Sequence, residues 1–273
     1  MKKIVFPLIL LICFQAYSQR KPKIKGNRDV IEVQEGLPAF SAIELKDDLK
    51  VMLQQASEEG YTIEADDNLI DVLKFEVEDS TLVISSFYNI TGKKKLDITV
   101  SYNYLDAVTV RNGDIQMKDA IVSDLLSVRT YESAKLQLNA EAAKIDVVME
   151  GKSSGDFVLT GDEINLDLKD RADARVFADG KSGHLKMYKS AAARIEGSVD
   201  SLRVELFENS SLRGQKLQAD EVVFTLEGSS SASVNAINNF ELSSSGSAKA
   251  YLYGDAKIEI IDFLDTSELH KEK

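Results

Sequence analysis

The feature that most constrains the fold of this chain is a short repeat that runs from Leu105 almost to the end of the sequence. Its marker is a pair of small or turn-forming residues, and the sequence intervals between successive markers are 21, 21, 19, 19, 19, 20 and 16. Units this short bury few side chains and leave no room for a helix, so they must stack on one another. The eight markers are Asn112-Gly113, Ser133-Ala134, Ser154-Gly155, Asp173-Ala174, Ala192-Ala193, Ser211-Leu212, Ser231-Ala232 and Ser247-Ala248.

Apolar residues fall at fixed distances from these markers, as a true repeat requires. The position eight before the marker is apolar in every unit, and the position two after it fails only at Gly214. Turn residues follow six after the marker in half the units, at Gly161, Gly180, Asn238 and Gly254. The apolar set before the markers is Leu105, Leu126, Val147, Leu166, Leu185, Val204, Phe224 and Phe240.

This pattern predicts an all-β fold, a single-stranded parallel β-helix of about eight coils. Parallel crossovers are nearly always right-handed, so the coil is expected to be right-handed. Eight coils at ~4.8 Å spacing make a rod of roughly 40 Å. A β-sandwich of the same short strands explains the alternation of apolar residues but not their constant offsets.

The sequence before the repeat divides into three parts. Residues 1–18 have two lysines, an apolar run from Ile4 to Phe14 and small residues before the expected cleavage after Ser18, which is typical of a secretory signal peptide. Residues 19–35 lack periodicity and are expected to form a spacer. Residues 36–104 alternate over short runs, which predicts an N-terminal antiparallel β region. The repeats then occupy 105–257, and 258–273 form a C-terminal cap and tail.

Composition excludes some classes of function. The formal net charge of -12 and the pI near 4.8 argue against nucleic acid as a partner, because phosphate binding needs a concentrated basic surface. The only cysteine, Cys13, lies in the signal segment, and Ile12 before it is too large for a lipoprotein signal. From Ile31 onward no apolar run reaches membrane-spanning length. Because a secretory signal peptide is predicted at residues 1–18, the expected location is extracytoplasmic, in the periplasm or at the cell surface.

The chain also carries a family resemblance. The run FSAIELKDDLKVMLQQ, the later run IEADDNLIDVLKFEVEDSTLVISS, the repeated small-residue corners and the closing YLYGD resemble the family known as putative auto-transporter adhesin, head GIN domain. The resemblance covers the chain from about Phe40 to the end of the coils. It implies a right-handed β-helix in a secreted protein of Bacteroidetes-type bacteria, with no assigned function and no catalytic residue to carry over.

The sequence contains no recognisable motif for binding a metal or cofactor or for catalysis. His184 and His270 are far apart and belong to no ligand-spaced cluster. The pairs Asp47-Asp48 and Asp66-Asp67 sit where strands turn and lack the spaced oxygen ligands of a calcium loop. No phosphate loop, GxSxG or HExxH motif occurs, and no cofactor is expected.

One row of charged residues suggests a binding site. Arg175, Arg194 and Arg213 follow their markers directly at equal intervals, so stacked coils would place them about 5 Å apart on one face. Such a row could hold a carboxylate or sulfate of an acidic polysaccharide, or an acidic patch on another envelope protein. The alternative is a solvated face that Glu196, Glu208 and Asp173 neutralise.

These observations leave three hypotheses for function. The first is a non-catalytic, extracytoplasmic, adhesin-like protein that binds envelope polysaccharide or another envelope protein. The second is a β-helix carbohydrate-active enzyme, which would need ionisable groups converging in a cleft, although no coil has spare residues to build one. The third is a structural spacer with no ligand. Oligomers are also expected if an uncapped coil exposes a sheet edge.

Overall fold

The computed structural model describes residues 21–273, and nearly all of them belong to β-strands or the short turns between strands. The predicted signal peptide, residues 1–18, lies outside the described residues. One short helix, α1, spans Asp67–Ile70. The strands are β1 Lys23–Lys25, β2 Val30–Gly36, β3 Ala42–Leu45, β4 Lys50–Gln55, β5 Gly60–Asp66, β6 Leu73–Glu78, β7 Thr81–Ser86, β8 Asn89–Gly92, β9 Leu96–Tyr102, β10 Ala107–Val110, β11 Asp114–Thr130, β12 Lys135–Met149, β13 Ser154–Leu168, β14 Asp173–Met187, β15 Ala192–Leu206, β16 Ser211–Leu226, β17 Ser231–Ser244, β18 Lys249–Tyr253, β19 Lys257–Phe263 and β20 Glu268–Lys271.

The repeat forms a β-solenoid, which confirms the predicted fold class. From β11 to β17 each coil is one continuous strand that bends around the core and pairs in parallel with the next coil. The longest of these strands is β11, with 17 residues, and the shortest is β17, with 14 residues. Because each coil is one strand, every outward position becomes a row that runs along the solenoid. The molecule has about nine turns.

The coil spacing is more regular than the markers indicate. The first strand positions Lys135, Ser154, Asp173, Ala192, Ser211, Ser231, Lys249 and Glu268 are mutually paired, at sequence intervals of 19, 19, 19, 19, 20, 18 and 19. Relative to these paired positions, the markers Asn112-Gly113, Ser133-Ala134 and Ser247-Ala248 come two residues earlier in their coils than the other five markers do. Small residues fill two alternate inward positions, such as Ser153 and Gly155, and the sequence pattern does not distinguish them.

The tight turns also lie elsewhere than expected. The turns that precede β12 to β18 and β20 each take four residues, and the second of the four adopts a left-handed backbone with φ between 50° and 77°. Gly161 instead lies within β13, where a Cβ would overlap the carbonyl oxygen of Ala142 on the preceding coil. The left-handed residues of these turns are Glu132, Gly151, Asp170, Lys189, Glu208, Gly228, Gly246 and Asp265.

The N-terminal region caps one end of the solenoid and inverts the order of its coils. β3 and β4 pair in parallel with β10 and β11, as a first coil should. On their other side they pair in parallel with β7 and β9, which come later in the chain but form the outermost coil. Antiparallel pairing joins β2 to β5, β5 to β9 and β6 to β7, so the predicted antiparallel region is present at this end.

The expected spacer at 19–35 is wrong for the part that the structure describes. β1 pairs with β8 and β2 pairs with β5 along its whole length. β2 shows no clear alternation because it covers the sheet from outside, and five of its seven residues are exposed. The Asp66 carboxylate accepts hydrogen bonds from the backbone N–H groups of Arg28, Lys94 and Lys95, which ties this segment to the cap.

The expected C-terminal cap and tail is also wrong, because residues 257–271 form one more coil. β19 pairs in parallel with β17, and β20 pairs in parallel with β18. All seven residues of β19 are exposed, unlike any earlier coil strand. The weak burial explains why this coil resembles a tail in the sequence.

Candidate functional site

The predicted arginine row exists. Arg175 is the register partner of Arg194, and Arg194 is the partner of Arg213, on the neighbouring strands β14, β15 and β16. Strands paired in this way lie about 4.8 Å apart. The row is therefore a fixed feature of the sheet and does not depend on loop conformation.

Strand alternation explains why the three guanidinium groups face solvent. On β14, Ala174 and Val176 point into the core and are at most 3% exposed, while Arg175 between them is exposed. The same alternation holds around Arg194 on the next coil, between Ala193 and Ile195. Arg213 likewise projects outward between two buried neighbours.

The three arginines differ in their partners. Arg175 pairs with Asp156 on the preceding coil through Nε and through Nη2, the latter 2.8 Å from Oδ2. This ion pair holds the pKa of Arg175 above its ordinary value. Arg194 and Arg213 make no ion pair and no side-chain hydrogen bond within residues 21–273. The part of the row whose positive charge is not neutralised by a carboxylate of residues 21–273 is therefore Arg194 and Arg213.

Glu196, Glu208 and Asp173, which were expected to neutralise the row, form no ion pair with its three arginines in the described part of the chain. Glu196 forms an ion pair with Lys216, 3.2 Å away. Asp173 contributes only a through-space interaction with Arg175, and Glu208 lies in the turn that follows β15. The carboxylate that neutralises part of the row is Asp156, which the sequence pattern places in the row itself.

A shallow groove of about 530 Å³ runs along one side of the arginine row. Its floor is low where the residue that follows the turn is small, as at Ser154, Ala192 and Ser211, and Asp173 at the same position on β14 also lines it. A flexible chain lying in this groove would keep its charged groups within reach of the guanidinium groups. Such geometry suits an extended ligand better than a compact one.

The other side of the row carries two exposed apolar residues between Asn139 and Glu196, and sequence reasoning missed them. Val158 and Phe177 are register partners at outward positions, and they are 46% and 49% exposed. They line a second groove of about 360 Å³ together with Arg175 and Arg194. The available signal was a break in the alternation, because Phe157-Val158-Leu159 are three apolar residues in succession.

The other candidate ligands have structural roles. His184 lies 3.2 Å from Glu205, and His270 lies 2.8 Å from Glu268. Asp47 binds the Lys21 ammonium and the backbone N–H of Ser86. Among residues 21–273 no group of three or more histidine, cysteine or acidic side chains is placed to hold a metal ion.

None of the helices in the described part of the chain is long and apolar enough to span a bilayer.

Comparison with known families identifies the chain. Residues 39–169, and again 152–256, match the family described as putative auto-transporter adhesin, head GIN domain. The chain belongs to this family. The two matches overlap and together span the first coil, the cap from β5 to β9 and the solenoid as far as β18, and they leave out β1 and β2. They confirm the resemblance drawn from the sequence.

Solved structures share the fold of this head GIN domain protein. A putative adhesin from Parabacteroides merdae is 15% identical with a TM-score of 0.71, over 92% of this chain and all of the other. A putative lipid binding protein from Parabacteroides distasonis is 17% identical with a TM-score of 0.63, over 92% and 100%. A putative adhesin from Bacteroides fragilis is 15% identical with a TM-score of 0.53, over 87% and 100%. No curated protein matches the chain.

The family description fits an adhesin-like role for this chain. At 14 to 17% identity, a likeness to solved structures shows a shared fold and carries no ligand from one protein to another. The arginine row must therefore be judged on its own geometry.

Proposed function

We propose that this chain is a non-catalytic, adhesin-like protein of the bacterial envelope whose arginine row binds an extended acidic polysaccharide. The observation that carries the proposal is the pair Arg194 and Arg213, which stand in register, face solvent and lack a carboxylate partner within residues 21–273. The chain as a whole has a formal net charge of -12. Two free arginines side by side on so acidic a protein favour a local anion-binding role.

The chemistry of the row suits a polymer with repeated negative charges. A guanidinium group binds a carboxylate or sulfate through two parallel hydrogen bonds, and its planar fork holds the anion in one orientation. A row at strand spacing can engage successive charged groups of one chain, and each contact raises the effective concentration of the next.

The exposed aromatic ring beside the row favours a sugar polymer over an acidic protein patch. The exposed ring of Phe177 beside Arg175 offers a flat apolar surface against which the face of a sugar ring can pack. The charged groups of the sugar would then lie toward Arg194 and Arg213.

Two observations support a role without catalysis. The coils are nearly equal in length, so none has a long loop with which to wall a cleft. The carboxyl groups of Glu163, Asp170 and Glu268 have pKa values below their ordinary range because each accepts a hydrogen bond from a lysine. A general acid that cleaves a glycosidic bond requires a raised pKa, so these three carboxyl groups are unsuited to that role.

Export belongs to the same proposal. The signal-like features of residues 1–18 and the adhesin family both support secretion across the inner membrane. Mass spectrometry of the N-terminal peptide of protein recovered from the producing cell's envelope should give Gln19, free or as pyroglutamate, as the first residue. Recovery of Met1 from the cytoplasm would contradict this part of the proposal.

The binding test uses defined polymers. Polygalacturonate carries carboxylates, dextran sulfate carries sulfates, and neutral dextran is the uncharged reference. We expect the protein to bind one or both acidic polymers, more weakly as salt rises, and to release no new reducing ends from them. Release of reducing ends that scales with protein concentration would favour the enzyme hypothesis instead.

The row itself is tested with a double variant and a control of equal charge. Arg194→Ser with Arg213→Ser should weaken binding by at least about tenfold, since one charge-assisted hydrogen bond contributes about 1.5–3 kcal/mol. Arg129→Ser with Arg203→Ser removes two exposed arginines from other rows and should leave affinity within about twofold. Equal losses in both double variants would mean that only net charge matters and would overturn the site.

A further inference from the structure

The two ends of the solenoid are finished differently. At the N-terminal end, antiparallel strands and α1 cover the outermost coil. At the other end, β19 and β20 each pair on one side only within the described residues. The outer backbone N–H and C=O groups of this last coil therefore form an open sheet edge.

The open end also exposes the end of the hydrophobic core. Ile258, Ile260 and Phe263 are the register partners of the inward residues Phe240, Leu242 and Ser244, so they continue the core rows. They are 39%, 51% and 43% exposed, and Ile261 and Leu264 beside them are 55% and 56% exposed. Five large side chains half exposed together approach the ~300–600 Å² of the largest apolar patches on monomers, which are often functional.

The two strands of the open edge are not equivalent. Lys271 on β20 is the partner of the inward residue Leu252, and an inward charge of this kind discourages further strand pairing. The inward positions of β19 carry only apolar residues. A bulge at Ile261 interrupts the edge, but the extra residue is itself apolar. The β19 half is therefore the half available for a contact.

We propose that β19 is the interface of a two-fold symmetric dimer, in which the open ends of two copies of this chain meet. A second copy cannot offer its N-terminal end, because that end is covered, so the matching surface is the same open end. The two-fold axis makes the β19 strands antiparallel. Lys257 at the start of one strand then lies close to Asp262 near the end of the other, which is complementary in charge.

The surface area of the contact supports a second copy of this chain as the partner of the open end. If both patches are covered, the dimer buries about 1,000 Å² counted over both copies, which reaches the lower bound for a specific interface. The contact is isologous, so it closes at two copies and does not propagate into a filament.

The test is the oligomeric state of the full chain in solution, measured by sedimentation velocity from low to high micromolar concentration. We expect a dimer that Ile260→Lys converts to a monomer, because the substitution places two ammonium groups next to each other at the two-fold axis. Val122→Lys is the matched control, since Val122 is 61% exposed on the side of the solenoid, and it should remain dimeric.

Unfolding is monitored in parallel by circular dichroism at the lowest concentration, where both proteins are monomeric, because Ile260 is already half exposed and its replacement should leave the melting temperature of the monomer unchanged. A wild-type chain that stays monomeric at high micromolar concentration would overturn the proposal. So would a dimer that survives Ile260→Lys, or an assembly that keeps growing beyond two copies. Retention of an unrelated partner on an otherwise monomeric chain would assign the open end to that partner instead.

Discussion

The N-terminal cap and the regular coils are built from the same kind of strand but are stabilised in different ways. In the coils the same backbone pairing recurs on the next coil, as the unbroken register from β12 to β15 shows. In the cap the contacts occur once, and the outermost coil is formed by β7 and β9, out of chain order. Repetition distributes stability over many equivalent residues, whereas the cap depends on a few.

Asp66 shows how far the cap depends on one residue. Its side chain is fully buried, and its two oxygens accept three backbone N–H groups from two separate segments. Gly26 packs so closely that a Cβ there would overlap Asp66 Oδ2. No equivalent of this arrangement is repeated on the coils from β12 to β17.

The largest effect is therefore expected from Asp66→Asn. The amide turns an acceptor into a donor that faces backbone N–H groups, which leaves buried donors without a partner. We expect the melting temperature, measured by circular dichroism, to fall by about 5 °C or more. Hydrogen exchange should show the loss of protection in β1, β2 and the turn before β9.

Asp170→Asn is the matched control on a coil. Asp170 also accepts a backbone N–H, that of Gly151, but its other partner is the exposed Lys189. Exposed ion pairs contribute little, and asparagine tolerates the left-handed backbone, so the melting temperature should change by about 1 °C or less. If both variants are equally destabilised, the cap is no more dependent on single residues than the coils are.

A smaller effect should come from relieving strain at a coil turn. Glu208 holds a left-handed backbone with φ of 61°, and its backbone stacks against Gly228, which occupies the same position one coil later. Non-glycine residues adopt this conformation at a cost of about 1–2 kcal/mol, so Glu208→Gly should stabilise the protein by about 0.5–1 kcal/mol.

Glu241→Gly provides the comparison for that variant. Glu241 is exposed in the extended strand β17, where glycine only adds freedom to the unfolded chain, so the protein should lose about 0.5–1 kcal/mol. Both free energies of unfolding are obtained from urea titrations. Destabilisation by Glu208→Gly would mean that the turns are not strained.

The same contrast explains what the sequence could predict. The coils repeat, so apolar offsets such as those of Val204 and Phe224 predict the solenoid, and the equal spacing of the arginines predicts the row. The inverted coil order could not be predicted, because β7 and β9 alternate like any strands and nothing in them specifies a partner. The exact register was also hidden, since small residues fill two inward positions in most coils.

The binding surface was predicted only in its charged half. The arginines are recognisable because they are the same residue at the same offset, whereas Val158 and Phe177 look like core residues in any apolar run. Which arginine of the row is neutralised by a carboxylate also depends on the three-dimensional arrangement. Asp156 reaches Arg175 because they are register partners, and no pattern in one coil indicates which arginine it neutralises.

The smallest expected effect is the change, at low pH, in the stability that the Asp66 carboxylate contributes. Burial alone would raise the pKa of Asp66, but the N–H groups of Lys94, Lys95 and Arg28, together with the Lys94 charge, lower it below the ordinary 3.8. A carboxyl whose folded pKa is lowered stabilises the protein above its unfolded pKa, and this contribution is lost as pH falls through the folded value.

The difference in melting temperature between wild type and Asp66→Asn should therefore be constant near neutral pH and shrink below about pH 4. The lowered carboxyl pKa values of the coils, such as that of Asp170, are present in both proteins and cancel in this difference. A difference that is independent of pH down to about pH 2 would show that the variant acts through packing alone. A difference that grows in acid would mean that the buried carboxyl of Asp66 is protonated in the folded cap. The cap would then be stabilised by the packing of this side chain and not by its negative charge.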